Sequence, residues 1–124
     1  MFNDNIPEGK FEKAELYRKM LNLCESCVAL GDSVSGNLKY YLKEQVVDNS
    51  FETIAFIAQA YIVYGNDGKK PYLDSARHNI IKLLTELRVI SRVDSVNAKR
   101  KIAEDIIRQC LNCLNDIDKW ARSL

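Results

Sequence analysis

This sequence predicts an all-α chain arranged as an up-and-down antiparallel four-helix bundle, and three observations carry that prediction. Apolar residues recur at a period near 3.6 rather than alternating. Only two prolines interrupt the 124 residues, at positions 7 and 71. The glycines fall mostly in "GDSVSG" and "GNDG", which read as loops between long periodic segments. A chain of this length fits one domain with a single core.

The first helix is predicted over about residues 8–31, with Leu16, Tyr17, Met20, Cys24, Cys27 and Val28 on its inward face. The second runs over about 36–64. The third covers about 72–93, with Pro71 suited to its first turn and Leu73, Ala76, Ile80, Leu83, Leu84, Leu87 and Ile90 as its core stripe. The fourth covers about 96–123, capped by Asp94 or Ser95. At 100° per residue its inward face gathers Ile102, Ala103, Ile106, Cys110, Cys113, Leu114, Ile117, Trp120 and Ala121. The short joint "RVDSVN" makes the last two helices antiparallel neighbours.

Two Cys-x-x-Cys pairs, Cys24 with Cys27 and Cys110 with Cys113, raise three readings: a zinc site, disulfides, or buried apolar packing. Aligning helix ends places the first pair about 8 Å from the bundle end and the second about 25 Å from it. A tetrathiolate site, with Zn–S bonds of about 2.3 Å, needs both pairs at one level. The opening "MFNDNIPEGKFEKAELY" is polar where an export signal would be apolar, which predicts a cytoplasmic, reducing setting that disfavours disulfides. The expectation is four free thiols in the core, no metal and no cofactor. The longest apolar run, "IAFIAQAYIVY", is too short to cross a bilayer, so no membrane association is expected.

That same run is apolar nearly all round. Ile54, Ala58, Tyr61 and Ile62 can face the bundle, while Phe56, Ala60, Val63 and Tyr64 then point elsewhere and form a candidate homo-oligomer interface. Coverage of that face by loop or N-terminal residues is the competing reading.

The formal charge of +1 conceals an asymmetry. Residues 1–68 carry six basic and ten acidic side chains, whereas residues 69–124 carry twelve basic and seven acidic. On the third helix Arg77, Arg88 and Arg92 fall on one side beside the core stripe. Lys99, Arg100 and Lys101 follow at the start of the fourth, with Arg108 further along. Such a flank can track phosphates. It can equally be a solvated face with local ion pairs, since Asp74, Glu104 and Asp105 lie close by and no aromatic side chains interleave to stack bases.

Catalysis finds no support in the residues, and the chain is expected not to be an enzyme. His78 is the single histidine and has no evident partner. No glycine-rich phosphate loop, nucleophile elbow or zinc-protease motif is present.

The stretches "PYLDSARHNIIKLLTELRVISRV" and "AEDIIRQCLNCLNDIDKWARS" resemble the C-terminal half of a four-helix-bundle family. That family holds the accessory variability determinant (Avd) proteins of diversity-generating retroelements and the intervening-sequence proteins of 23S ribosomal RNA genes. The resemblance covers about 55 residues, carried by Tyr72 and Leu73, by "LTELRVISR" with Arg88 and Arg92, and by Ile117 and Trp120. It implies a ring-like homopentamer that binds nucleic acid, as RNA or an RNA–DNA hybrid, and a reverse transcriptase, supporting mutagenic cDNA synthesis. Avd proteins are strongly basic, whereas the pI here is near 7.6. A second expectation therefore stands beside the first: an oligomeric intervening-sequence-type bundle acting in protein–protein interaction without nucleic-acid binding.

Overall fold

The computed structural model describes residues 9–33, 36–92 and 100–124, and these fold into helices with no strand among them. Helix α1 spans Glu15–Asp32, α2 Gly36–Tyr41, α3 Asp48–Ile62, α4 Asn66–Ile90 and α5 Arg100–Arg122. A π-helical stretch, Leu42–Val47, joins α2 to α3 without a break, so the described residues form four helical rods. Helix α1 packs against α3 and α5, and α4 packs against the same two.

Two predicted boundaries shift, each for a local reason. The first helix starts at Glu15 rather than near residue 8. The Gly9 amide donates to Glu12 Oε1 at 2.7 Å, closing a short 3-10 turn over Lys10–Lys13, and Ala14 is extended at φ −68°, ψ 140°. Phe11 then meets Tyr17 edge-on, ring centroids 5.2 Å apart, which folds the turn back along α1. Ahead of α4, Gly65 takes φ +78°, a conformation glycine reaches without a Cβ penalty, and lets the helix begin at Asn66. Pro71 therefore lies inside α4 rather than in its first turn, and three of the four residues of the "GNDG" loop are helical. The proposed caps Asp94 and Ser95 lie outside the described residues.

Burial follows the predicted stripes with specific exceptions. On α4 Leu73, Ala76, Ile80, Leu83, Leu87 and Ile90 are buried, and Leu84 is half-buried against them. On α1 and α5, Val28 and Ile102 are exposed, while Leu23, Leu30 and Ile107 are buried instead. The largest correction concerns α3. Its inward line is Asn49, Ser50, Thr53, Ile57 and Ala60, so it begins with three polar residues that a hydropathy reading passes over. Each polar group is satisfied: Asn49 Nδ2 donates to Glu86 Oε1 at 2.7 Å, Ser50 Oγ to the Val47 carbonyl and Thr53 Oγ1 to the Asn49 carbonyl. Ile62, expected to face the bundle, is 62% exposed, because Val63 turns extended and α3 ends there.

The cysteine pairs lie at one level, not about 17 Å apart as alignment of the helix ends implies. Lys19 on α1 bonds Asp116 on α5, and Gln109 on α5 bonds Ser26 on α1. Interpolating along both helices sets Cys24 and Cys27 beside Cys113 and Cys110. The late start of α1 moves its midpoint toward the C-terminus, and the helices align by their midpoints. All four thiols are buried and free. Among the described residues no group of three or more His, Cys, Asp or Glu side chains is arranged to hold a metal ion.

Candidate nucleic-acid interface

Where α4 ends and α5 begins, the two helices hold a groove of about 440 Å³ between them. Arg88, Ser91 and Arg92 line its α4 side; Glu104, Ile107, Arg108 and Leu111 line its α5 side. The local sequence explains the placement. Leu83, Leu87 and Ile90 bury the inward stripe of α4, which leaves Arg88 and Arg92, four residues apart and hence on one side, at the edge facing α5. On α5 Ile106 and Cys110 go inward and Arg108 stays exposed.

The electrostatics of the groove separate its arginines. Arg108 Nη1 is paired with Asp105 Oδ1 at 2.6 Å, three residues back on the same helix. Arg100 Nε donates to the Ser91 carbonyl at 2.9 Å, tying the start of α5 to the end of α4 and placing a cation at the negative end of the α4 dipole. Arg88 and Arg92 are exposed and make no ion pair among the described residues. Two unpaired guanidiniums thus share a groove with a third cation only weakly neutralised by an exposed carboxylate.

Of the seven basic positions expected to act together, four meet here. Arg88, Arg92 and Arg108 line the groove and Arg100 closes its end. Lys101 is exposed at the start of α5 but does not line it, and Lys99 lies outside the described residues. Arg77 is separate. Its Nε is 2.8 Å from Asp118 Oδ1, and it lines another cleft with Asp74, His78, Ile81 and Lys82. A helical wheel shows that Arg77 and Arg88 share a side but hides their axial separation, roughly 16 Å for eleven residues.

The candidate oligomer face divides in the same manner. Ala60 is fully buried in the chain's own core and cannot contribute to an outer surface. Phe56 packs against that core while half-buried, Val63 is half-buried, and Tyr64 is 99% exposed. Phe51, 50% exposed and not singled out in the sequence, and Ile62, expected to face the bundle, extend the outer apolar surface.

The four thiols are not set up as nucleophiles. Burial pushes the Cys24 thiol up to about 11 and the Cys27 and Cys113 thiols up to about 12, and raises Cys110 as well, with its neighbours Cys27 and Cys113 adding to the effect. A thiol held neutral and away from solvent is a poor attacking group. Among the described residues no helix is long and apolar enough to cross a membrane. No protein-family model, curated protein or solved structure matches the chain.

Proposed function

We propose that the protein is a non-enzymatic accessory bundle that binds the phosphate backbone of nucleic acid through the α4–α5 arginine groove. The reading includes an up-and-down antiparallel arrangement, supported by side-chain pairs whose numbers rise along one helix as they fall along its neighbour: Lys19 with Asp116 and Ser26 with Gln109, then Glu52 with Asn79 and Asn49 with Glu86. The single observation that carries it is the pair Arg88 and Arg92, without an ion pair among the described residues and side by side with Arg108 in one concave surface. Guanidiniums suit bidentate contact with phosphate, and here Glu104 is the one carboxylate among the described residues that line the groove with three of them. Both lie in the stretch that resembles Avd proteins, so the partners that resemblance suggests, a reverse transcriptase with an RNA or RNA–DNA hybrid template in the cytoplasm, complete the proposal. A homo-oligomer, a pentamer by the same resemblance, would repeat the groove around a ring.

The exposed Tyr64, Ile62 and Phe51 favour a second reading, in which the bundle works through protein contacts alone. Binding of nuclease-treated protein to a labelled structured RNA and to an RNA–DNA hybrid separates the two. Counterion release from three or four phosphate contacts weakens binding about 40- to 150-fold between about 50 and 200 mM salt, and more steeply in an oligomer. The double variant Arg88→Glu, Arg92→Glu loses that binding with helix content and oligomeric state unchanged. Binding that is absent at the lower salt, or untouched by the double variant, overturns the nucleic-acid reading.

A further inference from the structure

We propose that the cleft between α1 and α5 is a separate binding site for a small uncharged ligand with a carboxamide-like edge, the paired donor and acceptor that nucleobases and primary amides share. The cleft has a volume of about 270 Å³ and is lined by Lys19, Asn22, Ser26, Gln109, Asn112 and Cys113. It lies on the α1 side of α5, whereas the arginine groove lies on the α4 side.

Charge decides against an anion. Lys19 Nζ is 2.7 Å from Asp116 Oδ2, 3.4 Å from Glu15 Oε1 and 3.1 Å from Asn112 Oδ1, so its positive charge is already matched by two carboxylates. An anionic ligand would have to displace them. Hydrogen bonding then selects the neutral ligand. Gln109 Nε2 donates to Ser26 Oγ at 3.1 Å, but Gln109 Oε1 is buried and has no partner among the described residues. Exchanging the amide oxygen and nitrogen does not cure this, because one serine hydroxyl pairs with only one of them. A buried acceptor without a donor is costly, and a ligand N–H that draws the Gln109 amide toward the cleft and meets Oε1 removes that cost.

The neighbouring groups extend the pattern. Asn112 spends its oxygen on Lys19 and keeps its amide N–H groups to donate. Asn22, exposed at the rim, offers a second carboxamide, while the Cys113 side chain, 1% exposed and held neutral by burial, supplies an apolar wall. An acceptor on Gln109 next to donors on Asn112 is the complement of a planar amide edge, the same two-point match by which Asn and Gln read adenine.

Titrating the isotope-labelled full chain with adenosine, uridine and benzamide, while following the side-chain amide resonances of Gln109 and Asn112 by NMR, tests the site. Saturable shifts at both residues are expected with at least one probe. Nucleosides alone producing them assigns a base site, and benzamide producing them as well assigns a general amide site; either supports the proposal. Gln109→Met should weaken binding by about tenfold or more, and Asn112→Ala, at an exposed position, provides a variant that does not disturb the core. The absence of saturable shifts with all three probes overturns the proposal, as does affinity unchanged in both variants.

Discussion

Lys19 Nζ lies 2.7 Å from Asp116 Oδ2, and this contact fixes which level of α1 faces which level of α5. Seven residues on from Lys19 and seven back from Asp116, Ser26 meets Gln109, so the pairing holds across two helical turns. Cys24, Cys110 and Cys113 lie between those contacts, and Cys27 follows Ser26 directly. Their thiols influence one another across the interface, Cys27 raising Cys110 and Cys24 raising Cys113. The chemistry of this layer of buried thiols sets the first prediction.

Stability should fall steeply above pH 9. Burial raises the folded-state values of all four thiols above the ordinary value of 9.0, to about 11 for Cys24 and about 12 for Cys27 and Cys113. The neutral form is therefore the folded form. Below pH 9 folded and unfolded chains hold the same thiol protons and pH has no effect through them; above it only the unfolded chain releases them, so it gains free energy. Each thiol costs about 1.4 kcal/mol by pH 10, which makes about 5–6 kcal/mol for the four together. Denaturant unfolding under reducing conditions at pH 7, 8, 9 and 10 measures this, and Cys110→Ala should remove about a quarter of the alkaline slope. A flat profile to pH 10 would mean that the thiols are hydrated.

Lys69 should matter more than an exposed-looking lysine usually does. Its Nζ donates to the Ala60 carbonyl at 2.7 Å and the Val63 carbonyl at 3.0 Å, satisfying the end of α3, and lies 6.0 Å from the Trp120 ring. Trp120 in turn packs on Tyr61 with ring centroids 4.4 Å apart. One ammonium thus joins α3, α4 and α5 at one end of the bundle. Replacing it in Lys69→Met keeps the stem and removes the donors, and is expected to cost about 1–3 kcal/mol in chemical denaturation. Lys69→Arg should recover part of that loss. Equal stability of Lys69→Met and the native chain would show that water caps α3 as well.

The sequence made the helices legible because their apolar period is long and uninterrupted, and α4 kept all seven residues of its predicted stripe buried or half-buried. Three features escaped it for physical reasons. The inward line of α3 opens with Asn49, Ser50 and Thr53, whose polarity is cancelled by bonds to Glu86 and to local carbonyls that no hydropathy pattern displays. The cysteine layer depends on where α1 starts, and that depends on the Gly9 to Glu12 bond. Within the candidate site Arg88 and Arg92 were legible as neighbours on one face, whereas the loss of Arg77 to Asp118 is a tertiary contact between helices 41 residues apart.

That loss yields a contrast within the basic surface. Arg77→Ala should leave nucleic-acid affinity within about twofold of native, since its guanidinium already serves Asp118, whereas Arg88→Ala and Arg92→Ala should each weaken binding about tenfold. The half-exposed Arg77 to Asp118 pair is expected to contribute about 0.2–1 kcal/mol to stability, read from the shift in unfolding midpoint. Equal loss of binding across all three variants would mean that the ligand spans both clefts rather than the groove.

Gly65 and Gly68, three residues apart, should respond to alanine in opposite directions. Gly65 sits at φ +78°, so a Cβ there strains the backbone even though nothing lies within 4 Å to collide with it. Gly65→Ala is expected to destabilise by about 1–2 kcal/mol. Gly68 has ordinary helical geometry in the first turn of α4, and an added Cβ would meet Val63 Cγ2 at 3.7 Å, an ordinary contact with a half-buried side chain. Gly68→Ala should therefore stabilise by about 0.5–1 kcal/mol, by restricting the unfolded chain and by favouring the helix. Thermal unfolding of the two variants beside the native chain reads both signs in one experiment. Gly68→Ala destabilising the chain would show that α4 begins after Gly68, nearer Pro71, and would return the whole "GNDG" segment to a loop.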